Sequence, residues 1–223
     1  MADARYTAIL FDIDGTLVDS NYLHVDAWAR AFSDVGHPVP VWRIHRAIGM
    51  DSAKLLEVLL GDDLDRLNDQ AKERHRVHYE RDAERLRSFE QAQELLRELA
   101  GRGLKVVLAT SAPQNEFELL QQVLQIDDAV AEYTTAEDVS EAKPAPDVVQ
   151  MALKKAGVEP GEALMVGDAA WDMQAAKKAG VDGIAVRTGG IGPGELTDAG
   201  AIAVYDDVAD LLEHLDESPI HRG

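Results

Sequence analysis

The chain opens its patterned part with four apolar residues, Ala8-Ile9-Leu10-Phe11, that stop at Asp12. The same signature, a short apolar run closed by a polar residue, recurs at residues 104–109 before Thr110-Ser111 and at 163–166 before Gly167-Asp168. Such runs are too short for helices and suit strands buried on both faces of a parallel sheet. Weaker runs at 131–134, 183–186 and 201–204 predict further strands. Between the runs the apolar period lengthens to that of a helix, over residues 91–100, 116–124, 147–156, 169–179 and 207–215. Strands alternating with helices predict an α/β fold, a Rossmann-like parallel sheet flanked by helices.

Residues 18–87 break the alternation. Leu23, Ala27, Trp28 and Ala31 share one face of a helix that ends near Gly36, with His37-Pro38 beyond it as a stop signal. A short helix is expected over 42–48. Asp51 is placed to cap a third, which carries Leu55, Leu56, Leu59 and Leu60, and a long charge-laced helix is expected over 64–87. The predicted organisation is therefore an α/β core from residues 1–17 and 88–215, an all-helical insert at 18–87, and a disordered tail at 216–223. Gly189 to Gly194 does not fit Gly-x-Gly-x-x-Gly and reads as a tight loop without a dinucleotide site.

Composition narrows the function classes. Of 223 residues, 41 are Asp or Glu and 22 Lys or Arg, a formal charge of −19 that disfavours nucleic acid and anionic membranes as partners. The absence of cysteine excludes thiolate chemistry and disulfides. No apolar run approaches the ~20 residues of a membrane span, so the expectation is a cytoplasmic protein, a monomer or weak dimer.

The chemistry-bearing residues fall where the strands end. Asp12 and Asp14 are two positions apart, so continued strand geometry would aim both carboxylates to one side, and Gly15 permits a sharp turn after them. Two carboxylates so held need a shared proton or a hard cation such as Mg²⁺. Thr110-Ser111, Lys143 and the Asp168, Asp172 pair occupy other strand ends or loops on the ligand-binding side of such a sheet. Carboxylates, one lysine and hydroxyl donors suit Mg²⁺ and a phosphate. Taken singly, Lys143 reads as a surface loop lysine, Thr110-Ser111 as a helix cap, and Asp168 with Asp172 as a first-turn charge preference.

Together the motifs Asp12-Ile13-Asp14-Gly15-Thr16, Thr110-Ser111, Lys143-Pro144-Ala145-Pro146-Asp147 and Gly167-Asp168-Ala169-Ala170-Trp171-Asp172 resemble those of the haloacid dehalogenase superfamily. The likeness is to its helical-cap subgroup of phosphatases and β-phosphoglucomutase-like enzymes. The resemblance implies that Asp12 is a nucleophile forming an aspartyl-phosphate and that Asp14 is general acid and then base. It implies phosphate binding by Thr110, Ser111 and Lys143, and Mg²⁺ binding by Asp12, the Asp14 carbonyl, Asp168 and Asp172. The insert would be a cap that closes over the substrate.

The implied activity is hydrolysis of a small phosphomonoester such as a sugar phosphate or phosphoglycolate. Isomerisation of the β-phosphoglucomutase type is the alternative. Dehalogenases lack the second aspartate, and phosphonoacetaldehyde hydrolases replace it and use a cap lysine, so Asp14 argues against both and makes Lys54 a solvated or ion-paired residue. The mutase's cap arginine has no counterpart near residues 50–53. A binding protein that keeps the fold without turnover would leave Asp12, Asp14, Lys143 and Asp168 unexplained. His24 is either a substrate-facing cap residue or a packing residue. The arginines between Arg74 and Arg87 alternate with Glu73, Glu80 and Glu84, which favours a solvated helix face. A loop lysine contributes little to folding, so Lys143→Ala is expected to cost rate more than stability.

Overall fold

The first apolar run is the middle of the sheet. The computed structural model, which describes residues 6–139 and 143–220, places β1 (Ala8–Phe11) between β2 (Lys105–Ala109) and β4 (Ala163–Gly167). β3 (Val130–Thr134) lies outside β2, and β5 (Asp182–Val186) then β6 (Ala201–Tyr205) lie beyond β4. Every neighbouring pair is parallel, in the order β3-β2-β1-β4-β5-β6. A strand bonded on both edges and covered on both faces has no place for a polar side chain, and all four residues of β1 are fully buried. Edge strand β3 exposes Ala131, Glu132 and Tyr133, which is why its run is weak in the sequence.

The chain divides into two compact units, Met1–Asp19 with Arg87–Gly223, and Ser20–Leu86. In the first, α5 (Ala92–Gly101), α6 (Gln114–Leu124), α7 (Asp147–Ala156), α8 (Ala170–Ala179), α9 (Pro193–Ala199) and α10 (Val208–Glu213) flank the sheet. One core cluster joins Leu10, Val107 and Met165 of the strands to Val148, Val149 and Ala152 of α7. Burying a side chain such as Leu10 stabilises by about 2 kcal/mol. Because the strands run in parallel, Asp12, Thr110, Asp168 and Arg187 leave β1, β2, β4 and β5 at one edge of the sheet.

The second unit contains α1 (Asn21–Asp34), α2 (Val41–Ala47), α3 (Ser52–Leu60) and α4 (Leu64–Asp82). Asp51 caps α3, its Oδ1 accepting from the Lys54 N–H at 2.7 Å. Trp28, Phe32, Ile44, Leu55, Leu56 and Leu67 are among its core. Lys54 is ion-paired with Glu57 on the surface, and Arg76 sits between Glu73 and Glu80, so this part of α4 is a solvated charge ladder. Among the described residues no helix is long and apolar enough to cross a membrane.

Three expectations are corrected. The helix expected over 64–87 ends at Asp82 and is followed by a tight turn, Ala83–Arg85. Its buried stripe of Leu67, Ala71, His75 and Tyr79 has no large apolar residue at the next position, Ala83, and Leu86 leaves the helix in extended backbone to be buried instead. The glycine-rich loop contains α9, which starts on Pro193 at its first turn. The tail is not disordered through Ile220. The Ser218 hydroxyl donates to the Leu215 carbonyl at 2.7 Å and accepts from the Ile220 N–H at 3.2 Å, and Arg102 pairs with Asp216. Ser218 and Ile220 are buried. Residues 221–223 lie outside the described residues, as do Glu141 and Ala142 of the expected loop before Pro144.

Because the terminal segment packs in this way, Ile220→Ala should lower the free energy of unfolding by roughly 2 kcal/mol, the low end for a buried isoleucine because a chain end can collapse into the space. Urea denaturation checks this; an unchanged midpoint would mean that the segment contributes nothing.

Candidate active site

Asp12 continues the ladder of β1, its N–H donating to the Val166 carbonyl at 2.9 Å. The chain then turns tightly, with Gly15 at φ 76°, Gly15 N–H on the Val18 carbonyl at 2.8 Å and Leu17 N–H on the Ile13 carbonyl at 2.9 Å. Only glycine takes that φ without strain. On the neighbouring strand β4, Gly167 leads to Asp168, and Asp172 lies in the first turn of α8. Asp172 Oδ2 accepts from the Ala169 N–H at 3.0 Å, satisfying a donor at the helix start. A Cβ on Gly167 would fall 2.6 Å from Asp172 Cβ and Cγ, so this glycine lets the helix start sit against the strand end.

Asp12, Asp168 and Asp172 thus come together, each buried, with a carboxylate oxygen from each within 4.8 Å of the others. Lys143 enters the group from the segment before α7. Its Nζ donates to Asp12 Oδ1 at 2.6 Å and lies 2.7 Å from Asp172 Oδ1. The Lys143 ammonium is the one partner seen for Asp172 Oδ1 among the described residues. Thr16, fully buried, donates from Oγ1 to Asp168 Oδ1 at 2.9 Å. The reading of Lys143 as a surface loop lysine is overturned, since only 3% of its side chain is exposed. The low expected cost of its removal to folding falls with that reading.

The electrostatics are unbalanced. Burial pushes the Asp12 carboxyl up to about 7, with the charges of Asp172 and Asp14 adding to the rise and Lys143 opposing it. Burial works against the Lys143 ammonium, but Asp12 and Asp172 more than reverse this and its pKa is raised. One ammonium among three buried carboxylates leaves a surplus of negative charge. Hard oxygen donors in excess of the one ammonium among them fit a small divalent cation such as Mg²⁺. Asp14 is half-buried and its carboxylate lies outside the group of three, though near enough for its charge to act on Asp12.

Thr110 is buried at the end of β2. Its Oγ1 accepts from the Ala112 N–H at 3.0 Å, and its carbonyl accepts from the Thr134 hydroxyl at 2.8 Å. Ser111 is half-buried beside it. His24 belongs to the helical unit. Its ring stacks on Tyr79 at 4.0 Å between centroids and its Nδ1 lies 3.1 Å from Nε2 of His75, which in turn stacks on Trp28. These contacts give His24 a packing role within that unit.

Sequence reasoning took Gly189 to Gly194 as a tight loop but did not single out Arg187 and Thr188 of the turn after β5, Arg187–Gly189. There the Thr188 hydroxyl donates to the Gly15 carbonyl, and Gly189 abuts Asp168, where a Cβ would fall on the Asp168 carboxylate and 2.8 Å from its carbonyl oxygen. The signal in the sequence was only the glycine at a strand end.

The family model described as haloacid dehalogenase-like hydrolase matches residues 6–180. The chain is 31% identical over 218 residues to a phosphoglycolate phosphatase of Rhodospirillum rubrum, covering 93% of this chain and 90% of that one. It is 29% identical over 181 residues to the pyrophosphatase PpaX of Bacillus velezensis, covering 81% and 82%. A crystal structure of a hydrolase from Pseudomonas syringae superposes with a TM-score of 0.90 at 39% identity, covering 95% of this chain and 98% of that one.

Two outcomes follow from the charge imbalance. Lys143→Met should destabilise the metal-free protein at pH 8 by roughly 3 kcal/mol, the scale of losing one partner from a buried ion pair. An unchanged unfolding midpoint would contradict the burial of that charge. A carboxyl whose pKa is raised on folding binds more protons in the native state, so metal-free stability falls as pH rises from about 4 to the value near 7 given for Asp12. Saturating Mg²⁺ should therefore raise the melting temperature more at pH 8 than at pH 5.5, and an equal or reversed effect would contradict a cation site at these carboxylates.

Proposed function

The chain belongs to the haloacid dehalogenase-like hydrolase family, and from that premise we propose that it is a Mg²⁺-dependent phosphatase. It releases phosphate from a small phosphomonoester through an aspartyl-phosphate on Asp12. The observation that carries the reading is the buried group of Asp12, Asp168 and Asp172 with Lys143 in contact with two of them. The relative named a phosphoglycolate phosphatase, alike over nine-tenths of both chains, supports a small anionic monoester as substrate. Phosphoglycolate and sugar phosphates are the first to try.

In this mechanism Asp12, Asp168, Asp172 and the Asp14 carbonyl would hold Mg²⁺. When bound, the ion supplies the positive charge that offsets repulsion between the Asp12 carboxylate and an anionic phosphoryl group. An ionised carboxylate needs no base to activate it, so Asp12 attacks phosphorus directly while the bond to the leaving oxygen breaks. Asp14 gives its proton to the departing alkoxide. It then takes one from the water that attacks the phosphorus of the aspartyl-phosphate, restoring both aspartates. Its half-buried position, apart from the three grouped carboxylates, suits a residue that trades protons with substrate and water.

Lys143 has three donors, two of which face Asp12 and Asp172, leaving the third for a phosphoryl oxygen. The Thr110 hydroxyl accepts from Ala112, which leaves its own proton to donate, and Ser111 adds a second hydroxyl. These groups act on the oxygens over which charge spreads in the transition state. The helical unit Ser20–Leu86 is assigned the part of cap, selecting the organic portion of the substrate.

A phosphomonoester panel with Mg²⁺, reading released phosphate and any isomerised hexose phosphate, tests this reading. Phosphate release at wild-type Asp12, reduced at least about 10³-fold in Asp12→Asn, is the expected result, about 4 kcal/mol of transition-state stabilisation. Hexose phosphate isomerisation without phosphate release would replace the phosphatase by a mutase, and an active Asp12→Asn enzyme would remove Asp12 as nucleophile.

A further inference from the structure

The turn after β5 touches the site at two points that the chemistry above does not use, the Gly15 carbonyl and Asp168. Thr188, half-buried, donates its hydroxyl to the Gly15 carbonyl across 173 positions of sequence. Gly189, buried, lies against Asp168 so closely that no side chain could be placed there. The next residue, Gly190, closes the turn in the left-handed region at φ 77°, its N–H on the Arg187 carbonyl at 2.9 Å. Arg187 is anchored in turn, its backbone N–H on the Asp206 carbonyl at 3.3 Å and its guanidinium on the Asp206 carboxylate.

What the Thr188 contact fixes can be followed through the peptide planes. The Asp14–Gly15 peptide has its N–H on the Val18 carbonyl, and in a trans peptide the carbonyl points the opposite way. That N–H sets the Asp14 carbonyl, while the Thr188 hydroxyl holds the next plane, the Gly15–Thr16 peptide, so the two bonds together fix the backbone torsions of Gly15 between them. Glycine is the least restrained residue in the chain backbone, and Gly15 sits at φ 76°. The Gly15 carbonyl accepts a side-chain hydrogen bond from Thr188. Asp168 is braced from two sides, by the Thr16 hydroxyl on Oδ1 and by the Gly189 backbone against its carboxylate.

We infer that Thr188 is a positioning residue for cation binding. Its hydroxyl, with Gly189 at its side, holds the Asp14–Gly15 turn and Asp168 in the arrangement that receives Mg²⁺. The inference rests on the metal site of the proposed function. Partners that orient metal ligands without touching the metal are typically worth about 10- to 100-fold in affinity, and Thr188→Val, which keeps the shape and removes the donor, should lose Mg²⁺ affinity on that scale.

The test is calorimetric titration of the metal-free full chain with Mg²⁺ for wild type, Thr188→Val, Thr188→Ser and Gly189→Ala, with the melting temperature of each metal-free protein alongside. The expected result is Mg²⁺ binding by wild type, about 10- to 100-fold weaker binding by Thr188→Val and Gly189→Ala, and recovery in Thr188→Ser. In steady state the apparent KM for Mg²⁺ of Thr188→Val should rise while kcat at saturating Mg²⁺ is retained. Wild-type affinity in Thr188→Val would overturn the inference and leave the phosphatase reading intact. Equal loss in Thr188→Val and Thr188→Ser, tracking a fall in melting temperature, would also overturn it by making the contact merely structural. Failure of wild type itself to bind Mg²⁺ would overturn the metal site and this inference together.

Discussion

The ammonium of Lys143 between Asp12 and Asp172 is the interaction on which the site depends. Three carboxylates excluded from water would repel one another strongly enough to prevent their ionisation or to open the strand ends. Lys143 offsets one charge and leaves the rest, and burial, with the charges of Asp172 and Asp14 adding to it, raises the pKa of Asp12. The fold therefore tolerates an arrangement that is incomplete by itself. Strongly perturbed buried groups of this kind cluster at functional sites, which motivates the cation and phosphate reading proposed above.

The rest of the core exists to hold that arrangement still. β1 and β4 are adjacent and parallel, so Asp12 and Asp168 leave the sheet side by side, and the start of α8 brings Asp172 back over the same edge. The ends of the apolar runs fix the register, because a slip would draw Asp12 or Asp168 into the sheet interior and leave apolar residues outside it. Glycines act where backbones must approach: Gly15 for the turn, Gly167 and Gly189 for close contact with Asp172 and Asp168. Preorganisation of this kind is where enzymes gain most of their electrostatic advantage, since no reorganisation is needed when charge develops.

Much of this could be read from the sequence, and the reasons for the remainder are physical. The central strands announce themselves because burial on both faces forces runs such as Ala8–Phe11 and Ala163–Gly167. Their polar terminators then mark the edge where Asp12, Thr110 and Asp168 lie. The burial of Lys143 was not legible, because a lysine between Ala142 and Pro144 carries no local sign of the two carboxylates it meets, one of them 131 positions away. α9 was hidden in a glycine-rich stretch because its start depends on Pro193 rather than on apolar periodicity. The turn at Thr188 was missed for the same reason as Lys143, since its partner Gly15 is remote in sequence and the bond is to backbone. His24, left open between substrate and packing, lies in a stack with His75 and Tyr79 that only tertiary structure assembles.

The central proposal is that the Asp12 carboxylate, at this strand end with its surplus of negative charge, receives the phosphoryl group. Rapid quenching of the enzyme turning over a phosphomonoester with Mg²⁺, borohydride reduction and peptide mass spectrometry test it directly, because an acyl phosphate is reduced to an alcohol and a free carboxylate is not. The account predicts homoserine at position 12, formed only with substrate and Mg²⁺ both present and at no other aspartate. Reduction at another residue, or turnover at full rate with no reducible intermediate at position 12, would contradict it.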